Sequence, residues 1–340
     1  MSDWLKFRGG RLPGNWLSEI PAPPPWRSFG AGIPPQPPSD LGSNDFWWRY
    51  EQKRGSAFQV LRKEIPRAVN AALYLRRPLL IEGRPGTGKS SLISAVAYEL
   101  KMGPVLRWPI SSRSTLRQGL YEYDALGLLN EQNTPPGERA SGSVVDIGNF
   151  VQLGPLGTAL HNTSWPRALL IDEIDKSDLD LPNDLLNVFE DGSFPIPELA
   201  RAQNRAPMVK TSWPCGPDGK PFKVQVNDGV VTSDQFPFVV MTSNGERDFP
   251  APFLRRCIRL RMPDPEKEDL ERIVETHLGP SRKAQAAQLI QTFLNNSSNL
   301  ATDQLLNAVY VTLGGRDDDQ RVIGDSEKAD IEAMILKELS

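Results

Sequence analysis

Eight consecutive residues, Gly83-Arg84-Pro85-Gly86-Thr87-Gly88-Lys89-Ser90, fit the pattern G-x-x-x-x-G-K-[ST] in full. Each residue type in that pattern has a task around phosphate. Gly83, Gly86 and Gly88 permit backbone torsions and a close approach that a side chain would forbid. The amides from about Gly86 to Ser91 then face one concavity at a helix N-terminus, with Pro85 and Thr87 completing the loop. Hydrogen bonds and the helix dipole hold an anion there. Lys89 is placed to reach the β- and γ-phosphates of a nucleotide, and the Ser90 hydroxyl to ligate Mg²⁺. The loop sits between LLIE (79–82), read as a buried strand, and SLISAVAYEL (91–100), read as a helix. Such a loop requires that context.

Asp172 and Glu173 close the apolar run ALLI at 168–171. Acids at the carboxyl end of an apolar strand mark an end that opens onto a site. Asp172 is expected to hold Mg²⁺ through water, and Glu173 to polarise the water that attacks the γ-phosphate. Adjacent strand residues point to opposite faces, so the two carboxylates can divide the work. The run VVMTS at 239–243 is a further buried strand with a polar end. Asn244 beyond it either orients the attacking water or forms the turn before Gly245. Arg255 and Arg256 stand just before the run CIRLRM. They either supply positive charge to the reacting phosphate or belong to a solvated surface.

Positioning these residues takes a parallel sheet. Short apolar strands are expected at Pro78–Glu82, Val105–Pro109, Ala168–Ile171, Phe238–Thr242 and Ile258–Leu260. They alternate with helices, which implies a sheet covered on both faces. Residues 57–75 read as a helix with a break at Pro66, and residues 89–100 as another. After Met262 the run PDPEKED punctuates the chain, and helices are expected over about 266–277, 281–295, 302–313 and 326–339. The economical division is an arm at 1–50, an α/β core at 51–262 and a small helical unit at 263–340.

Composition narrows the classes. The arm holds nine of the 31 prolines and five of the eight tryptophans, Trp4, Trp16, Trp26, Trp47 and Trp48. Proline at that density prevents helix and central strand, while a freely solvated tail would be poor in aromatics. The arm therefore docks, either on its own domain or on a neighbouring subunit or partner. Lys plus Arg total 39 and Asp plus Glu 42, a formal charge of −3. That balance argues against non-specific nucleic-acid binding as the main business. Cys215, Cys257, His161 and His277 are too few for a disulfide framework or a zinc set. Cys257 reads as an apolar filler and His161 as structural. No run approaches a membrane-spanning length, and MSDWLKFRGG lacks a secretory pattern, so a cytoplasmic location is expected.

The order phosphate loop, LLIDEID (169–175), TSN (242–244) and FLRRC (253–257), followed by a small helical unit, resembles the AAA+ ATPases. The stretch at 171–199 looks like the MoxR group. The stretch GNFVQLGPLGTAL at 148–160 is similar to the helix-2 insert of that clade. The resemblance implies a three-layer αβα sandwich with a parallel sheet and a C-terminal helical lid. The insert would lie at about 143–160 and a hairpin insertion at about 200–237. It implies ATP and Mg²⁺ as cofactors and a homo-oligomeric ring, typically a hexamer, with ATP between subunits. Arg256 would then act in trans on the neighbour's nucleotide, with Arg255 as the fallback. Family members often serve a von Willebrand factor A-type partner and remodel protein targets, and some belong to bacterial conflict systems. Phe150 would either line a central pore or pack within the insert.

One departure stands out. The family commonly places a sensor arginine in the helical unit, where this chain has Asp303. An acid there would repel phosphate. Either another arginine such as Arg316 substitutes, or the helical unit senses nucleotide less directly and turnover is slow. The leading reading is an oligomeric ATPase that remodels a partner. An ATP-gated scaffold with hydrolysis as a timer is the alternative. A nucleic-acid translocase and a phosphate-loop kinase rank lower, the first on charge, the second because Glu173 beside Asp172 suits water activation.

Overall fold

The computed structural model describes residues 4–10, 12–27, 29, 35, 51–58, 60, 62–133, 145–161, 164–213, 220–295 and 301–313. The helix expected at 326–339, Cys215, Trp47, Trp48 and Arg316 lie outside the described residues.

In chain order, helix α1 (Glu64–Leu75) leads into strand β1 (Leu79–Glu82), the glycine-rich loop and helix α2 (Lys89–Glu99). Strand β2 (Leu106–Pro109), helix α3 (Leu116–Leu120), strand β3 (Tyr121–Tyr123) and helix α4 (Ala125–Asn133) come next. Strand β4 (Val151–Leu153), helix α5 (Pro155–Leu160), strand β5 (Ala168–Asp172) and helix α6 (Leu181–Asp191) follow. Strand β6 (Ser193–Pro195), a one-turn helix α7 (Pro197–Ala200) and strands β7 (Met208–Lys210), β8 (Lys223–Gln225) and β9 (Val230–Thr232) continue the chain. Strand β10 (Phe238–Ser243), helix α8 (Ala251–Arg256) and strand β11 (Ile258–Arg261) complete the α/β part. Helices α9 (Lys267–Leu278), α10 (Pro280–Gln285), α11 (Ala287–Asn295) and α12 (Thr302–Leu313) come last.

Five strands form one parallel sheet in the order β11-β1-β10-β5-β2. The alternation along each strand explains why both faces are apolar. Leu80, Trp108, Leu169, Ile171, Val239 and Met241 enter one core with α5 and α6. Leu79, Ile81, Leu170, Val240 and Leu260 enter the other with α1 and α2. A sheet buried on both sides between helical layers is the three-layer α/β arrangement, and near-continuous apolar strands are its sequence mark.

Two expectations change in detail. Pro66 does not break a helix; it lies in the first turn of α1, where its missing N–H would have no intrahelical partner anyway. The described residues among 57–63 stay outside that helix. The stretch expected as one helix at 281–295 is two, α10 and α11, joined at Ala286.

A second sheet, in the order β3-β4-β7-β8, joins β3, which lies before both expected insertions, to β4 from the first and β7 and β8 from the second. β3 and β4 run antiparallel, β4 pairs β7 in parallel, and β7 and β8 form an antiparallel pair. β9 leaves that sheet to pair with β6. Helices α9 to α12 contribute Leu270, Val274, Ile290, Phe293, Leu305 and Val309 to a third cluster that draws on no other element.

The described arm residues pack on their own chain. Phe7, Leu17 and Ile20 are buried with α1 and α2, and Phe29 with α6. Asn70 on α1 accepts from the backbone N–H groups of Lys6 and Phe7 and donates to the Phe7 carbonyl. Glu99 on α2 accepts from the N–H groups of Arg8 and Gly9 at 2.8 and 3.0 Å. A proline-rich segment cannot join a sheet ladder, so side chains of the helices satisfy its backbone instead. Trp26 stays 74% exposed.

Candidate functional site

The carboxyl ends of β1, β5 and β10 lie side by side, where an open parallel sheet presents its crevice. The glycine-rich loop leaves β1 there. Gly86 and Gly88 adopt φ of +74° and +83°, torsions that glycine adopts without strain. A Cβ on Gly86 would also fall 2.4 Å from the Ala301 side chain, so the start of α12 rests directly on the loop. Asp303 belongs to the first turn of α12 and is exposed. An acid suits that position because the helix dipole is positive there. Thr87 donates to the Arg84 carbonyl within the loop, and Pro85 is exposed.

Lys89 opens α2 and is 7% exposed. Its ammonium donates to the Gly83 carbonyl at 2.6 Å, the Arg84 carbonyl at 2.8 Å and Asn244 Oδ1 at 2.7 Å. Burial pushes its pKa down, against the pull of Asp175, Asp172 and Glu173. Ser90 donates to Asp172 Oδ1 at 2.8 Å, and Thr242 donates to the same oxygen at 2.5 Å. Asp172 Oδ2 receives no hydrogen bond among the described residues and stays available. The Ser91 N–H donates to the Gly88 carbonyl and its side chain is exposed, on the rim of the loop.

Glu173 does not continue β5. It takes φ +60°, a left-handed turn that costs a non-glycine residue about 1–2 kcal/mol. The expected opposite-face alternation of Asp172 and Glu173 therefore gives way to a turn, in which the Glu173 N–H donates to Thr242 Oγ1 at 2.9 Å. The Glu173 carboxylate is half-exposed and pairs with Lys176 at 2.8 Å.

Two residues of the cluster were not singled out from sequence. Thr242 is one. Asp175 is the other: it is 3% exposed and its Oδ2 accepts from the N–H groups of Asn244 and Glu246 at 2.8 and 3.2 Å. Its Oδ1 is buried with no hydrogen-bond partner among the described residues. The repeated acid in Asp172-Glu173-Ile174-Asp175 was the available signal.

Arg256 does not join this cluster. It ends α8, pairs with Glu190 on α6 and donates to the Pro252 carbonyl. Arg255 is exposed, and its carbonyl accepts from Arg77. Phe150 is half-buried beside β4, and Gly148 lies against the Met208 carbonyl, so this turn packs within the second sheet. His161 meets the Gln225 carbonyl at 3.1 Å.

The donor set suits a hard cation and a polyphosphate. A hydroxyl and a carboxylate share one edge, a lysine stands beside them, and the glycine loop turns through positive φ at Gly86 and Gly88 just before it. Among the described residues no group of three His, Cys, Asp or Glu is arranged to hold a metal by protein ligands alone.

The family model described as AAA domain (dynein-related subfamily) matches residues 78–257, just over half of the chain. The matched span runs from the start of β1 to Cys257 and contains every residue of the cluster. No curated protein matches the chain. Among the described residues no helix is long and apolar enough to cross a membrane.

Proposed function

The chain belongs to the dynein-related subfamily of AAA domains, and from that premise we propose that it binds and hydrolyses Mg²⁺-ATP as a MoxR-type ring of identical subunits that remodels or activates a protein partner. One observation carries the reading: at the start of α2, Lys89 bonds directly to Asn244 beyond β10, and Ser90 bonds directly to Asp172 at the end of β5.

In this reading the loop amides and Lys89 bind the β- and γ-phosphates, and Ser90 and Asp172 hold Mg²⁺. When bound, the metal would supply charge neutralisation at the phosphates. Glu173 takes a proton from the attacking water, and Asn244 Oδ1 orients that water once the Lys89 ammonium has turned to phosphate. Asp175 fixes the Asn244 backbone for that purpose. Arg256, with Arg255 as fallback, faces a neighbour's triphosphate in this reading, since its bonds to Glu190 and the Pro252 carbonyl tie it to no residue of its own cluster. A von Willebrand factor A-type protein is the proposed partner class, on the MoxR likeness alone.

A second reading, an ATP-gated scaffold with slow hydrolysis, draws on two observations. The Glu173 carboxylate is engaged by Lys176. An aspartate stands in the first turn of α12, the end that touches the loop. Steady-state phosphate release by the full chain separates the two. Sustained turnover of several per second supports the remodelling enzyme. Tight ATP binding without turnover supports the scaffold, and no ATP binding at all would overturn both.

A further inference from the structure

The arm and the arginine face meet at one place. Glu190 occupies the last turn of α6, next to carbonyls at the negative end of the helix dipole. A carboxylate there needs cations. Arg256 pairs with it through Nε and donates through Nη1 to the Pro252 carbonyl at 3.2 Å. Those two bonds fix the planar fork of a side chain that stays 42% exposed. Arg77 donates to the Arg255 carbonyl at 3.0 Å, tying the segment after α1 to α8.

The arm contributes the third cation. Arg27 donates to the Arg76 carbonyl at 2.6 Å, and its guanidinium lies 5.3 and 5.4 Å from the centroids of Phe29 and Phe236. Those two rings stack at 4.9 Å. Phe29 also packs against Gly192, the residue that caps α6, so the arm braces the helix end that carries Glu190. Arg27 Nε is buried with no hydrogen-bond partner among the described residues. A plain brace would use an apolar side chain at that spot; a half-buried guanidinium whose Nε is sealed without such a partner is costly and calls for a charge-based reason.

We infer that Arg27 of the arm, Arg77 and Glu190 form a charged frame that positions Arg256 for the nucleotide of a neighbouring subunit. The inference rests on the reading of Arg256 as the trans arginine. Three guanidiniums against one carboxylate keep the patch net positive toward a triphosphate. Glu190 orients Arg256, while Arg27 and Arg77 offset the charge it brings. The mutual effects agree: Arg256, Arg27 and Arg77 all lower the Glu190 pKa, with the Arg256 hydrogen bond the largest cause. Arg27, Arg77 and Glu190 are positioning residues.

The test uses the full chain with Glu190→Gln, Arg27→Gln, Arg27→Lys and Arg256→Ala, each alone and mixed with Lys89→Ala, co-assembly being verified by a tag. Glu190→Gln and Arg27→Gln should lower kcat on the order of ten- to a hundredfold with KM for ATP unchanged, because misplacement by about 1 Å costs that much. Mixing with Lys89→Ala should restore part of the rate, and mixing with Arg256→Ala should not. Arg27→Lys keeps the charge and should stay close to wild type. Wild-type kcat in both Gln variants overturns the frame while leaving the trans arginine standing, provided Arg256→Ala is slow and recovers with Lys89→Ala. Arg27→Lys as slow as Arg27→Gln would show that packing is at work and overturn the frame as well. Wild-type turnover by Arg256→Ala overturns both.

Discussion

Lys89 and Asn244, 155 residues apart in sequence, are joined by a 2.7 Å hydrogen bond from the Lys89 ammonium to Asn244 Oδ1. A bound phosphate competes for that ammonium with three uncharged oxygens, and charge-assisted bonds win such contests. Lys89 and Asn244 therefore change partners together. Lys89→Ala should abolish nucleotide binding, read by titration with a fluorescent ATP analogue. Asn244→Ala should bind ATP within a few-fold of wild type yet lose about 10²-fold or more in turnover. Equal losses of binding in both variants would contradict the separate roles.

Glu173 stands in a left-handed turn held by Thr242 and keeps its carboxylate at the surface. Glu173→Gln preserves size and hydrogen bonding but removes the base. It should bind ATP normally and hydrolyse about 10²–10⁴-fold more slowly, accumulating whatever assembly ATP promotes. Single-turnover phosphate release checks this, and wild-type hydrolysis would assign the base elsewhere.

Asp175 separates geometry from charge. Asp175→Ala removes the acceptor of the Asn244 and Glu246 N–H groups; the exposed Glu246 N–H turns to water, while the half-buried Asn244 N–H costs up to about 1–3 kcal/mol if left unsatisfied. Asp175→Asn keeps an acceptor for both and should be destabilised less while turning over faster than the Ala variant. Denaturant midpoints and turnover of the two variants, measured together, decide the matter; equal behaviour would remove Asp175 from any role in placing Asn244.

Cys257 loses its proton only well above the pH at which an exposed thiol does. Burial pushes its pKa from the ordinary 9.0 up to about 12. The folded-state value is raised, so the stabilisation is complete below pH 9 and is lost as pH rises from 9 toward about 12. In a Cys215→Ser background, iodoacetamide at pH 8.5 should modify Cys257 only after denaturant unfolds the chain. Rapid native-state alkylation would contradict the burial.

Much of this site was legible because residue type alone carries the chemistry. Three glycines, a lysine and a serine at fixed spacing dictate a phosphate loop, and acids after an apolar strand dictate a polar strand end. The residues that hold those groups in place were not legible. Asp175 works because one tight turn at Ile174–Lys176 folds it under the segment after β10. Glu190 lies 66 residues before Arg256, and nothing in local pattern couples them. The arm's docking is equally non-local: its backbone is satisfied by Asn70 and Glu99, polar residues inside helices whose periodicity says only that they are buried. Pro66 misled because proline breaks a helix interior but opens a helix comfortably.

In the proposed ring, catalysis needs a second copy of the chain. The most direct measurement is ATP turnover per subunit against protein concentration, with Mg²⁺ and saturating ATP, alongside sizing at each concentration. The rate per subunit should climb as the subunits assemble and level off once assembly is complete. A constant, measurable rate from a species that sizing shows to be a monomer would contradict it.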